Sequence, residues 1–174
     1  LSVLLEKLRT EPTREKQSFS LLVSDIYVSN GFSIYVDENQ EIPEIIVLDN
    51  LSFQGQDLHV VNDQFTVQIN TLSANEGSGL DIVHLSTQFF YSPTQMKLDG
   101  FTLETPYSFL DADIDLVYVI SDFSDFKNKV QISGKIRDSY ISTNDVAIFY
   151  EPIGRNQKLI LNSKIDGTLN EFVL

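Results

Sequence analysis

With 174 residues and no cysteine, the chain is long enough for one domain that buries much of its apolar surface, but it can form neither a structural disulfide nor a thiolate metal site. Its 25 Asp and Glu against 12 Lys and Arg, a formal charge of -13 at pH 7, repel phosphates and anionic membrane surfaces and argue against nucleic acid as a partner. No apolar run approaches the roughly 20 residues of a membrane helix. Leu1 in place of a start methionine suggests a segment of a larger protein whose targeting signal lies upstream.

Leu1, Leu4, Leu5 and Leu8 fall at i, i+3, i+4 and i+7, the stripe of a short amphipathic helix within residues 1 to 10 that Pro12 would stop. After a charged connector, Arg9 to Gln17, period-two alternation begins and continues to the last residue. The first strand is expected over Phe19 to Val28, with Asn30-Gly31 as the tight turn of a hairpin leading into Phe32 to Val36. Further strands are expected at Ile45 to Phe53, Leu58 to Val61, Gln64 to Ala74, Asp81 to Tyr91, Gln95 to Glu104, Ser108 to Ile120, Lys129 to Ile141 and Lys158 to Leu169. Gly, Asn, Asp and Ser-Pro separate them.

The alternation slips at Asn50-Leu51 and again at Gly100-Phe101, which reads as two β-bulges that bend the sheet. Thr143 is placed to cap one helical turn through Val146 and Phe149, closed by Pro152 and Gly154, as a plug for one end. The fold class that results is all-β, a long curled antiparallel sheet with a short N-terminal helix, in a single domain over residues 1 to 174.

Motifs for chemistry are missing. His59 and His84 sit inside strands without metal-ligand spacing around them and read as structural. Asp111, Asp113 and Asp115 share one strand face roughly 7 Å apart, too splayed for a hard-cation loop, and read as a solvated face. Neither a nucleophile elbow nor a phosphate-binding glycine loop is present, and Asn50-Leu51-Ser52 as a glycan acceptor is discounted because Leu51 reads inward. The expectation is a non-catalytic chain that needs no cofactor and no metal.

The 12 Phe and 7 Tyr, with no Trp, carry more information, since many share the inward parity with Ile, Leu and Val. Phe65, Val67, Ile69, Val83, Leu85, Phe89 and Tyr91 are expected to line one apolar surface, with Gln68, Asn70 and Gln88 facing solvent. Ile26, Val28, Phe32, Ile34, Met96, Leu98, Ile114, Leu116 and Tyr118 extend that surface. Two architectures need this same alternation, a closed sandwich core and an apolar groove left open for acyl chains.

An ordered series of segments resembles the TamB and AsmA-like envelope proteins, in particular the Bacteroidetes-type TamB. It comprises Ile26-Tyr27-Val28-Ser29-Asn30-Gly31-Phe32-Ser33-Ile34-Tyr35-Val36-Asp37-Glu38-Asn39, then Gly79-Leu80-Asp81-Ile82 running to Phe90-Tyr91-Ser92-Pro93-Thr94, and Leu103-Glu104-Thr105-Pro106-Tyr107-Ser108. Phe123-Ser124-Asp125-Phe126-Lys127-Asn128-Lys129-Val130 and Gly167-Thr168-Leu169-Asn170-Glu171-Phe172 continue it, so the similarity covers Phe19 to Leu174. The resemblance implies a periplasmic slice of a protein anchored in the inner membrane, a curled β-sheet known as a β-taco, with roles in outer-membrane assembly and phospholipid movement. It implies phospholipid acyl chains, and outer-membrane assembly proteins, as partners. A structural module that binds envelope proteins by strand addition is the alternative, and an adhesive carbohydrate-binding sandwich a further one.

Overall fold

The computed structural model describes residues 18–37, 44–77, 79–149 and 151–173; the amphipathic helix expected within residues 1 to 10 lies outside them. Among the described residues the chain is predominantly antiparallel β. The strands are β1 (Ser20–Asp37), β2 (Glu44–Val61), β3 (Gln64–Glu76), β4 (Ile82–Ser92), β5 (Gln95–Glu104), β6 (Phe109–Val117), β7 (Gln131–Ser142), β8 (Lys158–Gly167) and the two-residue β9 (Phe172–Val173). They form one sheet in sequence order, each strand antiparallel to the one before it. Such a meander follows from short connections, because a tight turn can only return the chain beside the strand it has just left.

The sheet is open and one layer thick. Among the described residues substantial contacts run only between neighbouring elements, and none joins strands two or more apart or β1 to β8. A sandwich core would require strands facing each other across the apolar side. Few apolar residues are therefore sealed from water: Val67, Ala74, Phe101, Ala112, Tyr118, Val130 and Ala147 are buried, and three of these are alanines.

Left-handed residues punctuate the long strands. Asn30, Asn50, Asp57, Gly100 and Asp138 have φ of 54°, 51°, 53°, 58° and 36°, and each lies where the register with a neighbouring strand shifts. An extra residue in one strand is accommodated by a single αL conformation, which Asn, Asp and Gly adopt at least cost. The bulges expected at Asn50-Leu51 and Gly100-Phe101 are both present.

Asn30-Gly31, in contrast, is not a hairpin. The tight hairpin turn expected there needs positive φ at both central residues, yet only Asn30 has it, and the chain passes straight through as part of β1. Gly31 is required for another reason: a Cβ there would lie 3.1 Å from Val28 Cγ1 and 3.2 Å from the Leu51 carbonyl oxygen. The separate strands expected at Ile45 to Phe53 and Leu58 to Val61 are likewise one strand, joined through the bulge at Asp57. Asn30→Val should consequently destabilise the sheet by about 1–2 kcal/mol, since a β-branched side chain resists αL, whereas Asn30→Gly should be near neutral. Urea denaturation midpoints check this, and an Asn30→Val midpoint equal to that of the unmodified chain would contradict the bulge.

The strand expected over Ser108 to Ile120 ends at Val117, and the one expected from Lys129 begins at Gln131. Between them lie a 3₁₀ turn, Ile120–Asp125, and a one-turn helix, Phe126–Lys129. Asp122 starts this excursion by accepting a 2.8 Å hydrogen bond from the Val119 amide. Phe123 then stacks edge-on against Tyr118 at 4.7 Å and lies 6.1 Å from Phe126, which closes one end of the sheet. The helix expected at Thr143 is present as Thr143–Phe149, between β7 and β8 at the opposite end.

Candidate functional site: the apolar face of the sheet

Directly paired residues in antiparallel strands point to the same side, so the register assembles the face row by row. One row runs Leu21, Val60, Phe65, Tyr91, Met96, Leu116 and Ile132. A second runs Val67, Phe89, Leu98, Ile114, Gly134 and Ile165. Further along the strands Val28, Phe53, Leu72, Leu85, Leu103 and Leu110 form a third. Ile26 joins Gly55, Ile69 and Thr87 between them.

The face is packed laterally and left half-exposed. Val67, near its centre, is buried, while Phe65, Ile69, Leu85, Phe89, Tyr91, Met96, Leu98, Ile114 and Leu116 are intermediate. Phe65 lies 5.5 Å from Phe89 and 5.3 Å from Tyr91, close enough for tilted ring contacts. Val28 and Val83 are exposed. Thr87, the polar member, is buried, and its hydroxyl donates to the Asp99 carbonyl at 3.1 Å, so it leaves no unpaired group in the apolar rows.

Three of the residues expected on this face are elsewhere. Gly31 pairs with Leu51 and Ser33 with Leu48, so Phe32 and Ile34 point to the side opposite Val28. The extra residue at Asn30 reverses the parity of everything after it in β1. Tyr118 lies beyond the end of β6, buried under Phe123, with its hydroxyl donating to the Ser92 carbonyl at 3.0 Å. Burial, and secondarily the neighbouring Tyr91, raises its ionisation above the ordinary tyrosine range. It belongs to the end closure rather than to the open rows. Val23, Leu58, Phe53, Leu72, Phe101, Leu103 and Ile132 are additional members of the face, and only the bulge positions reveal their common side.

Between β3 and β6 the reverse face is largely polar and paired, with Phe90 its apolar member there, while Phe32 and Ile34 lie on it at the β1 edge. Ser86 and Thr102 hydroxyls lie 2.7 Å apart, Thr71 Oγ1 is 3.1 Å from His84 Nδ1, and Gln68 and Gln88 pair across β3 and β4. Of the three amides expected in solvent, Asn70 and Gln88 are exposed and Gln68 is half-buried, its amide nitrogen donating to the Ile69 and Thr87 carbonyls. His59 is exposed, and no group of metal-ligating side chains occurs among the described residues.

The acidic strip is engaged. Arg137 bridges Asp111, Nε donating at 2.9 Å, and Asp113, while Asp113 Oδ1 also accepts the Gly100 amide at 2.9 Å and so fastens the bulge. Asp115 accepts from Gln95 and lies 3.5 Å from Lys97. The Arg137 hydrogen bond, then the Gly100 amide, hold the Asp113 carboxyl below its usual range against the opposing effect of burial. A depressed folded pKa contributes stability above the ordinary carboxylate value and loses it as pH falls through the folded value. The Tm difference between the unmodified chain and Arg137→Gln should therefore be full above about pH 4 and shrink below it. A difference that stays constant on acidification would contradict the coupling.

No helix among the described residues is long and apolar enough to cross a membrane. No protein-family model, curated protein or solved structure matches the chain.

Proposed function

We propose that this chain is a non-catalytic periplasmic segment of a TamB-like envelope protein whose apolar face, curled into a groove, shields phospholipid acyl chains from water between the inner and outer membranes. One observation carries the reading: apolar rows span the sheet in register, and among the described residues nothing packs over them. An uncovered apolar face of that extent calls for an occupant. An acyl chain fits the chemistry, because each buried methylene contributes about 0.8 kcal/mol and the rows offer similar apolar surroundings at every step, so a tail can shift along them with little change in free energy. Bulges at Asn50, Asp57, Gly100 and Asp138 increase local twist and favour curling. The acidic balance keeps such a sheet dispersed. The resemblance from Phe19 onward supports the envelope assignment, and the full-length protein would be anchored in the inner membrane.

Native mass spectrometry of the gently purified protein tests this reading. Phospholipid adducts that leave on activation are expected, and a spectrum of bare protein from a phospholipid-containing host would contradict it.

Strand addition is the second reading, favoured by β1 itself. This 18-residue edge strand has no partner on its outer side among the described residues and exposes Leu22, Tyr27, Phe32 and Ile34. An envelope assembly protein pairing with β1 would use the same sheet as scaffold and leave the apolar face free.

A further inference from the structure

On the polar side of the sheet, at the end that carries the Thr143–Phe149 helix, a cleft of about 400 Å³ is lined by Pro106, Tyr107, Tyr140, Asn144, Gln157 and Lys158. Tyr140 and Lys158 belong to the side opposite the apolar rows, so this cleft is separate from the face described above. Its volume lies in the range of small-ligand sites.

The walls are held in place before any ligand arrives. In the β5–β6 turn, Thr105 Oγ1 accepts the Tyr107 and Ser108 amides at 3.2 and 2.8 Å, and it donates to buried Asp145 at 2.6 Å. Opposite, the backbone amide of Asn156 donates to Asn144 Oδ1 at 2.9 Å and that of Gln157 to Thr143 Oγ1 at 3.0 Å. On this pinned turn Tyr107 is 54% exposed and borders the cleft. The Tyr140 ring is covered instead by Lys158 Nζ, 3.8 Å from its centroid. Among the described residues no hydrogen bond engages the side-chain amide of Gln157 or the amide nitrogen of Asn144.

We infer that this cleft binds a short oligosaccharide. Sugar rings present apolar C–H faces that stack on an exposed aromatic ring, and hydroxyls that both donate and accept. Side-chain amides match them because each carries a donor and an acceptor. Tyr107 is the stacking platform, Gln157 and Asn144 read hydroxyls, and Lys158, among the described residues the one charged group on the wall, favours a sugar bearing a carboxylate. Holding the walls rigid limits the ordering that binding must impose.

Titration calorimetry and saturation-transfer NMR with chitotetraose, maltohexaose and oligogalacturonate test the inference, the last probe separating acidic from neutral recognition. Saturable binding is expected, weakened roughly tenfold in Tyr107→Ala, the loss typical of a central aromatic anchor, and similarly in Gln157→Ala, with unchanged melting curves. Absence of saturable binding at millimolar concentrations of all three probes would overturn it, as would binding indifferent to both substitutions.

Discussion

Leu116→Glu is expected to abolish lipid capture while leaving the sheet folded. Leu116 lies in a row between Met96 and Ile132 and is only half-buried, so a carboxylate there keeps contact with water. The loss is then chiefly the lateral apolar contact of one leucine, about 1–2 kcal/mol, rather than the much larger penalty of an enclosed charge. An acyl chain crossing that row would have to desolvate the carboxylate, which opposes entry directly. Circular-dichroism melting should show a Tm lowered by a few degrees, roughly 2–4 °C per kcal/mol in a chain of this size, while lipid adducts disappear. Wholesale unfolding of the variant would mean that another layer seals the face.

Asp145→Ala is expected to be among the most destabilising single substitutions. The Asp145 carboxylate is buried where the Thr143–Phe149 helix meets the β5–β6 turn, and accepts hydrogen bonds from the hydroxyls of Thr105 and Ser108. Ser108 Oγ in turn accepts the Ser142 amide at 2.9 Å, so one carboxylate ties a turn, a strand end and a helix together. Truncation leaves two buried hydroxyls short of their acceptor at about 1–3 kcal/mol each, and a loss of roughly 3 kcal/mol lowers Tm by roughly 10 °C. Asp145→Asn retains an acceptor oxygen and should lose no more than about half as much. Equal melting of the alanine variant and the unmodified chain would show that the network contributes nothing.

Much of this architecture was legible in period two alone. Alternation located the strands from Gln64 to Glu104 closely, because there each strand is short and bounded by turn residues on both sides. It failed in β1 and β2, where Asn30 and Asp57 sit inside strands of 18 residues each. Asn-Gly carries the same local signal for a hairpin and for a bulge, and what decides between them is the partner: Val28 and Gly31 both find residues of β2, Phe53 and Leu51. No single-strand pattern contains that information. The misplacement of Phe32 and Ile34 follows directly, since one inserted residue exchanges the two faces. The Phe123 and Phe126 closure was hidden for another reason, because its aromatic residues mimic strand composition, while the chain is turned there by one local hydrogen bond, from the Val119 amide to Asp122 three residues on. For the acidic strip, the solvated reading was close, but Arg137 lies 26 and 24 residues from the two carboxylates it bridges and only the β6–β7 register brings it there.

The central proposal, an uncovered apolar face that holds acyl chains, is tested most directly by photo-crosslinking with a phospholipid that carries a diazirine on its acyl chain, followed by peptide mapping. Adducts should concentrate on the rows containing Phe65, Phe89, Met96, Leu98, Ile114 and Leu116 and spare the polar reverse face around Gln88, Lys97 and Asp113. Failure to crosslink, or adducts spread equally over both faces, would contradict it.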